Sequence, residues 1–452
     1  MTDYSIPGAS AAQNQLLNEI AQSLDVSNSH LSKVADDVYA YITSGLESPT
    51  QGPASWVSYI DADIAQDIRA AAKKEEQALG MTINTQAGRL KISSVKFIGG
   101  ERDINKQVFF LRKDAATPAQ LFEDIAGRLA EFINGHELGP GPHPLGVTID
   151  RPIEETSRLG GRVADNADCG LFRNVDVAQA LGAAILKKHL PVRVASVTNC
   201  VISTLVAAQN RFPSTCAALI LNHGINASYY EQAARIPRRQ GAGRVAVNTE
   251  LARYGECSLV LRPTRWDNRL DRESPNTGSH TFEKLVADKY LGEIVRNLIT
   301  DFVDAQLIFP RDADASVLGE PYAFFSSYMT TMEDKSEDLS DVGDLLRAGF
   351  NIHSSVVDRK IVRALCHFVT VRAARLVGAA VAAIVRRASE SQDGPAVVSI
   401  SGQLTEINQP YVKHTTETAQ ELIAKMGLPA ATFNVLGEDG YTVGAALAAF
   451  SK

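Results

Sequence analysis

The turn around Asn199 and Cys200 is the part of this sequence best suited to chemistry. It follows the strand-like run 192–197 and leads into an apolar helix pattern that begins at Leu205. A strand that turns sharply into a helix places its turn residues at the edge of an α/β sheet, where ligands bind. The Asn199 amide can donate and accept hydrogen bonds, whereas a thiol with an ordinary pKa of about 8.5 is a poor base at neutral pH. We therefore expect a ligand site at this turn, with Cys200 as a small packed side chain.

The composition predicts a soluble, intracellular protein of two domains. The chain has 452 residues, too many for one core, with 45% hydrophobic and 21% charged residues. Its net charge of −7 argues against a nucleic-acid partner and against a polybasic membrane anchor. The five cysteines are odd in number and lack paired spacing, which indicates reduced thiols and no zinc site. We expect neither a metal nor a nucleic acid as a partner.

Neither a targeting segment nor a membrane span is expected. The start lacks a basic region followed by an apolar run, so no signal peptide is expected. The most apolar run, 376–385, has about half the length of a bilayer crossing and is flanked by arginines. The expected location is the cytoplasm, and presence in the nucleus stays open.

Strand and helix patterns alternate along the chain and predict an α/β architecture. Apolar residues at offsets of three and four predict helices over 16–24 and 31–46, and residues 79–91 predict a β-hairpin. A capping box at 117–120 begins a further helix, which Gly135 ends. We expect two α/β domains, each with a mixed sheet flanked by helices, and a cleft between them.

Two segments carry distinctive motifs: residues 290–296 read Tyr-Leu-Gly-Glu-Ile-Val-Arg, and residues 370–376 read Thr-Val-Arg-Ala-Ala-Arg-Leu. They resemble the motif Tyr-Leu-Gly-Glu-Leu-Leu-Arg and the helix Thr-Arg-Ala-Ala-Arg-Leu of the eukaryotic, fungal-type hexokinase family. Residues 143–152 resemble its strand Leu-Gly-Phe-Thr-Phe-Ser-Tyr-Pro, and residues 199–204 its turn Asn-Asp-Thr-Val-Gly-Thr. The resemblance covers nearly the whole chain. It implies the two-domain, actin-like hexokinase ATPase fold, with ribonuclease-H-like sheets and an interdomain cleft.

The resemblance also implies domain limits. Residues 1–207 correspond to the family's N-terminal region, in which the helical start 1–78 packs on the large domain and residues 79–207 form the small domain. Residues 208–452 correspond to the C-terminal region. There the large domain extends to about residue 440, and the C-terminal helix returns to the small domain.

The family's sugar-binding positions divide into a matching and a changed group. Four positions keep the family's residue type and imply a degenerate hexose site: Asn199, Asn226, Glu250 and Glu283. Four positions have changed. Glu154 replaces a Ser of the family, Ala167 and Asp168 replace its Thr-Lys pair, and Cys200 replaces its catalytic Asp. Amides and carboxylates suit sugar hydroxyls. The resemblance therefore implies at most weak binding of glucose or another hexose, with Cys200 inactive in the catalytic position.

The nucleotide-binding positions are degenerate as well. Four of them match the family: Arg89, Gly402, Gly440 and Gly444. Six others have changed. In the first phosphate loop, Thr82 replaces an Asp, and Asn84 and Thr85 replace two Gly. Ser401 replaces the Asp of the second phosphate loop, and Tyr441 and Thr442 replace the Ser-Gly that lies against adenosine. Asp168 in the place of a Lys would also repel a phosphate. No cofactor is expected.

Two functional hypotheses remain. The first is a non-catalytic pseudo-hexokinase with a regulatory or carbon-source-sensing role in carbohydrate metabolism and glucose homeostasis, which acts through a protein partner of unknown identity. The alternative is a weak or unusual ATP-dependent hexose kinase that converts glucose to glucose 6-phosphate with Mg-ATP, with Asp165 or Asp168 as the base. Nucleotide binding separates them, because only the alternative requires it.

Overall fold

The strands of this protein form two mixed sheets and one small ribbon. The computed structural model describes residues 4–47, 56–136, 138–139, 141–157, 159–164, 167–237, 239, 241–256, 258–309, 316–332, 336–392, 394–437 and 440–451. In chain order the strands are β1 (Trp56–Asp61), β2 (Gln77–Asn84), β3 (Arg89–Ile98), β4 (Glu101–Phe110), β5 (His143–Ile149), β6 (Ile153–Glu155), β7 (Gly161–Val163), β8 (Val192–Asn199), β9 (Thr215–Leu221), β10 (Ile225–Gln232), β11 (Arg244–Asn248), β12 (Val397–Ser401) and β13 (Thr432–Val435).

Helices lie between and around the sheets. They are α1 (Ala11–Leu24), α2 (Asn28–Glu47), α3 (Ile64–Lys73), α4 (Pro118–Gly135), α5 (Val177–Lys187), α6 (Cys200–Arg211), α7 (Arg265–Glu273), α8 (Thr281–Val286), α9 (Asp288–Asp304), α10 (Ser316–Gly319), α11 (Tyr328–Thr331), α12 (Ser340–Phe350), α13 (Val356–Ser389), α14 (Leu404–Ile407), α15 (Gln409–Lys425) and α16 (Gly440–Ala448). The predicted helices at the start of the chain and over 117–135 are confirmed as α1, α2 and α4. The hairpin predicted within 79–91 is confirmed as β2 and β3.

Five strands of the large sheet follow the same order as the five strands of the small sheet, and β1 is an additional edge strand of the large sheet. The large sheet runs β1-β11-β10-β9-β12-β13, and the small sheet runs β4-β3-β2-β5-β8. In each, an antiparallel meander (β2-β3-β4 or β9-β10-β11) continues into two parallel strands. Strands β6 and β7 form a separate antiparallel ribbon. The carboxyl ends of parallel strands meet at one edge of a sheet, so the two sheets have topologically equivalent edges.

The C-terminal helix α16 packs against the small sheet on one side and α6 on the other. The approach is so close that a Cβ added to Gly146 of β5 would lie 1.8 Å from Ala445 O. On the α6 side, a Cβ added to Gly444 would lie 1.8 Å from Ser203 O. Only glycine fits at such contacts. The position of α16 therefore fixes the small sheet against α6.

The 34-residue helix α13 is the central helix of the large-sheet side, where it contacts α2, α9 and α15. Its Arg372 donates two hydrogen bonds, of 2.7 and 2.8 Å, to the carboxylate of Asp267 in α7. By length and composition α13 could cross a membrane, but 89% of its apolar window is buried inside the protein. It is a core helix and not a span. The apolar part of α13 is longer than the run 376–385, so burial, rather than length, is what excludes a span.

Candidate functional site

Strand β8 ends at Asn199 and helix α6 begins at Cys200, as the sequence predicts. Asn199 caps the helix, since its Oδ1 accepts a hydrogen bond of 2.8 Å from Val201 N. Its Nδ2 donates a hydrogen bond of 3.2 Å to Arg151 O. A side-chain amide can form about four hydrogen bonds. Asn199 therefore holds the turn in shape and keeps capacity for a ligand.

Three polar side chains form a hydrogen-bonded row beside the large sheet. Asn226 Nδ2 donates to Asn248 Oδ1 over 2.9 Å, and Asn248 Nδ2 donates to Glu250 Oε1 over 2.6 Å. Ser228 Oγ donates to Val201 O over 2.9 Å and so ties β10 to the start of α6. Sequence reasoning named Asn226 and Glu250 but missed Asn248. The available signal was its place at the end of β11, two residues before Glu250.

Glu283 brings a second carboxylate to this row. Its Oε2 accepts a hydrogen bond of 3.4 Å from Ile225 N, and its Oε1 lies 3.4 Å from His280 Nδ1. A Cβ added to Gly224 would lie 2.6 Å from the carboxylate, which explains the glycine there. Burial raises the pKa of Glu250, and the charge of Glu283 adds to the rise. Glu283 also raises the pKa of His280. The two carboxylates thus share one region that is rich in acceptors.

Cys200 lies at the start of α6, in the turn that the sequence marks as the candidate site. Its side chain is partly buried. Burial, followed by the charge of Asp150, raises the pKa of its thiol to about 12. The thiol is therefore neutral at physiological pH, and a neutral thiol is neither a useful base nor a reactive nucleophile.

Sequence reasoning missed Asp150, which lies directly after β5. Its carboxylate accepts hydrogen bonds from Thr85 N (2.9 Å), Thr85 Oγ (2.8 Å) and Gln86 N (3.1 Å). The next N–H of this turn, that of Ala87, donates to Asn84 Oδ1 over 2.8 Å. The turn between β2 and β3, which stands in the place of the family's first phosphate loop, thus has three N–H groups engaged within the protein, two of them with an internal anion. An acid directly after a buried strand was the signal in the sequence.

One backbone donor of the turn after β12, the Gln403 N–H, is engaged as well. Asn222, in the turn between β9 and β10, accepts a hydrogen bond of 2.7 Å from Gln403 N. Gly402 has a φ of 118°, and a Cβ there would lie 2.2 Å from Leu221 O. Close packing by itself therefore requires a glycine at 402.

The start of α16 stands in the place of the family's adenosine segment; residues 438 and 439 lie outside the described residues. Lys91 Nζ lies 5.7 Å from the centre of the Tyr441 ring. The hydroxyls of Thr82 and Thr442 share a hydrogen bond of 2.8 Å. A Cβ added to Gly440 would lie 2.7 Å from a side-chain carbon of Leu436. The first two contacts join α16 to the small sheet. Close packing against Leu436 accounts for the glycine at 440, as packing against Ser203 does for the glycine at 444.

Arg89 lies exposed at the start of β3. Its charge acts on His223, in the turn between β9 and β10, and opposes the overall rise in the pKa of that imidazole. That rise has its main cause in Asp288, whose Oδ2 lies 3.4 Å from His223 Nδ1. Arg89 therefore lies within electrostatic range of His223.

The changed small-domain positions contribute little to the described site. Glu154 is exposed on β6. Ala167 and Asp168 lie in a 3₁₀ turn, but their side chains, like the whole of Asp165, lie outside the described residues. Within the described part of the chain, no group of three or more His, Cys, Asp or Glu side chains is placed to hold a metal ion.

At the two phosphate-loop positions, four backbone N–H groups already have hydrogen-bond partners within the protein. Phosphate binding by such turns depends on backbone N–H groups that point at the ligand. The N–H groups of Thr85, Gln86, Ala87 and Gln403 are all engaged within the protein. What the site offers is a set of carboxylate and amide groups suited to hydroxyls.

Two models of one family match the chain. One hexokinase model matches residues 16–210 and another matches residues 216–451. The chain belongs to the hexokinase family. Both halves of this hexokinase-family chain therefore carry the family's pattern, as the motifs at 143–152, 290–296 and 370–376 predicted.

Curated relatives of this hexokinase-family protein come from yeasts and plants. The hexokinase of Kluyveromyces lactis is 34% identical over 315 residues, which are 65% of this chain and 64% of that protein. Hexokinase-2 of Saccharomyces cerevisiae is 31% identical over 68% of this chain and 67% of its own. Hexokinase-2 of Solanum tuberosum is 28% identical over 98% of this chain and 92% of its own. The matched segment thus spans less than two thirds of the Kluyveromyces protein, whereas the plant protein matches almost end to end.

Two solved structures share the fold. The hexokinase from Schistosoma mansoni complexed with glucose superposes with a TM-score of 0.82 at 24% identity, over 97% of this chain and all of that one. A further hexokinase crystal structure has a TM-score of 0.80 at 21% identity, over 98% of this chain and 99% of its own. The predicted hexokinase fold, with its two mixed sheets, is confirmed.

Proposed function

We propose that this member of the hexokinase family binds a hexose weakly and serves as a regulator or sensor in carbohydrate metabolism, without transferring phosphate. The observation that carries the proposal is the Asp150 carboxylate, which accepts hydrogen bonds from Thr85 N, Thr85 Oγ and Gln86 N. A phosphate would compete for the same donors, and the two anions would repel each other. Nucleotide binding would therefore require the turn between β2 and β3 to rearrange.

The row of Asn226, Asn248 and Glu250, with Glu283 beside it, supports the hexose half of the proposal. Carboxylates accept hydrogen bonds from sugar hydroxyls, and amides both donate and accept them. The relative from Schistosoma mansoni is described as a complex with glucose, which supports a hexose as the ligand class. Each hydrogen bond missing from the changed small-domain positions costs about 0.5–1.5 kcal/mol. We expect a dissociation constant in the millimolar range.

The thiol of Cys200 supports the absence of catalysis. With a pKa of about 12 it does not take a proton from a sugar hydroxyl at neutral pH. Loss of a general base typically lowers a rate by about 10²–10⁴-fold. The engaged donors at both phosphate-loop positions act in the same direction.

The second candidate is an ATP-dependent hexose kinase, and the comparisons favour it over the first. The curated relatives, at 27–34% identity, are all named hexokinases. In addition, Asp150 places a carboxylate close enough to Cys200 to raise its pKa. In this candidate Asp150 is the base, in place of Asp165 or Asp168.

A coupled assay for glucose-dependent ATP turnover separates the two candidates. We expect the purified chain to show no turnover above that of a sample without glucose, while ligand-observed NMR detects binding of glucose at tens of millimolar. Clear phosphorylation of glucose would establish the second candidate. If neither turnover nor glucose binding is found, the hexose half of the proposal is wrong as well.

A further inference from the structure

A cavity of about 570 Å³ lies between the N-terminal segment 4–7, helix α13 and the helices α11, α14 and α15. We call it the α13 cavity. None of its lining residues belongs to the sugar row or to the phosphate-loop positions described above. Its volume is within the range of about 300–1,000 Å³ that small-molecule sites occupy. The α13 cavity is thus a separate candidate site.

One wall of the α13 cavity is basic. Lys360, Arg363 and His367 follow one another on α13 at offsets of three and four, so they lie on one face of the helix. Among the described residues that line the cavity there is no Asp or Glu. Lys360 and Arg363 make no ion pair with any residue the structure describes. A concave surface with charge of one sign concentrates ligands of the opposite sign. The wall therefore favours an anion.

The facing wall of the α13 cavity is apolar. It contains Met329 and Met332, both buried, and the half-buried Ile407. Phe368 and Tyr4 also line the cavity, and their rings pack edge to face with 4.6 Å between their centres. Methionine side chains adapt to ligands of irregular shape. This wall suits an alkyl or aryl body and gives no reason for a sugar to bind.

The helix α15 adds to the positive character of the α13 cavity. Its start lines the cavity through Asn408 and Pro410. Asn408 caps the helix by accepting a hydrogen bond of 3.0 Å from Tyr411 N. The N-terminus of a 17-residue helix carries a partial positive charge. The basic wall of α13 and this helix end therefore act on a ligand in the same sense.

We propose that the α13 cavity binds a small organic anion with an apolar body, the class of alkyl carboxylates and alkyl phosphates. The anionic group lies against Lys360 and Arg363, and the chain lies against Met329, Met332 and Ile407. An inorganic anion would leave the apolar wall uncovered, and a neutral lipid would leave the cations without a partner. Both halves of the ligand are needed to match both walls.

Isothermal titration with four probes tests this match: decanoate, octyl phosphate and the neutral 1-octanol, each below the concentration at which it aggregates, and inorganic phosphate. We expect decanoate or octyl phosphate to bind at least about tenfold more tightly than either 1-octanol or inorganic phosphate, since a hydrogen bond to a charged group is the stronger kind. Whichever of the two anions binds more tightly identifies the head group, carboxylate or phosphate.

Two variants and a control locate the binding. Arg363→Glu changes an exposed side chain of the basic wall, and we expect it to weaken binding by at least about tenfold. Ala364→Phe fills the cavity without a change in charge, and we expect it to abolish binding. Lys413→Glu on α15 makes the same change of charge at a side chain that is 69% exposed and outside the cavity, so binding should be unchanged.

Three results would overturn the proposal. The first is 1-octanol binding as tightly as the anions, which would indicate an apolar groove only. The second is unchanged anion binding by Arg363→Glu. The third is no binding of decanoate or octyl phosphate at millimolar concentration. Should Ala364→Phe fail to fold, the comparison of Arg363→Glu with Lys413→Glu still decides, because both substitutions are on the surface.

Discussion

The two sheets of this protein share the order of five strands but close their equivalent edges with different groups. At the small sheet a side chain after β5, Asp150, accepts hydrogen bonds from the backbone of the turn after β2. At the large sheet a side chain in the turn after β9, Asn222, accepts a hydrogen bond from the backbone after β12, at Gln403. An anion closes the first edge, and a neutral amide closes the second.

This difference assigns different chemistry to the two edges. The Asp150 carboxylate makes the small-sheet edge unfavourable for a phosphate. At the large-sheet edge the closing group is a neutral amide. The row of Asn226, Asn248 and Glu250 lies beside this edge, with Glu283 as a second carboxylate. We therefore expect ligand binding to depend on the large sheet, with the small sheet as a fixed wall of the cleft.

The packing of α16 between the small sheet and α6 is most sensitive to substitution at Gly444. Gly444→Ala puts a Cβ 1.8 Å from Ser203 O, so α16 must move away from α6. We expect a loss of about 3 kcal/mol or more in the free energy of unfolding, measured in urea. Gly182→Ala in α5 is the control, since its Cβ would meet no atom within 4 Å. Equal stability of the two variants would show that α16 does not fix the small sheet.

The contact of the ribbon with the large sheet gives a pH-dependent test. Glu155 of β6 accepts hydrogen bonds from Ser58 Oγ (2.9 Å) and Tyr59 N (2.8 Å) of β1, and burial raises its pKa from 4.5 to about 7. Between those pH values the folded state binds more protons than the unfolded state. The contribution of Glu155 to stability is therefore present below about pH 4.5 and is lost as the pH rises through about 7.

Glu155→Gln removes this titration. The free energy of unfolding of the variant, relative to the parent, should therefore rise by about 2 kcal/mol between pH 5 and pH 8. Urea unfolding at several pH values measures this difference. A difference that does not change with pH would show that the Glu155 carboxyl is not titrating in this range.

The sugar row predicts a difference between large-sheet and small-sheet variants. Glu283→Ala and Asn226→Ala remove groups of the large-sheet side, and each should weaken glucose binding by about 10–100-fold, because hydrogen bonds to charged or buried partners are lost. Glu154→Ala on the exposed ribbon strand is the control and should bind glucose as the parent does. Calorimetry measures the affinities, and thermal melting checks that each variant is folded. If both large-sheet variants bind like the parent, the row is only structural.

The smallest effect is expected for Cys200→Asp. This substitution restores the family's catalytic residue type but leaves Asp150 in the turn and Asn222 on Gln403 N. We expect no gain of glucose-dependent ATP turnover. A clear gain would show that the base alone was missing and that the turn between β2 and β3 opens for a nucleotide.

Local signals in the sequence were enough for the elements that position the site. The Asn199 cap, the hairpin after β2 and the Thr117 cap of α4 each depend on residues within a few positions of one another. The contacts that close the two edges were missed because they join distant residues. Asp150 is 64 positions from Gln86, and Asn222 is 181 positions from Gln403.

The charge of the small-sheet edge could have been anticipated, but its partners could not. An acid at 150 is visible in the sequence, whereas its acceptance of N–H groups from Thr85 and Gln86 depends on the parallel pairing of β2 with β5. The hydrogen-bond partners of Asp150 therefore follow only from the pairing of the strands in three dimensions.

Titration of Mg-ATP, with and without glucose, tests the closed small-sheet edge most directly. The parent is compared with Asp150→Ser, which removes the carboxylate, and with Asp103→Ser, a matched change at an exposed position of β4. We expect no binding of Mg-ATP at millimolar concentration by the parent or by Asp103→Ser, and measurable binding by Asp150→Ser. Micromolar binding of Mg-ATP by the parent, unchanged in Asp150→Ser, would contradict this expectation.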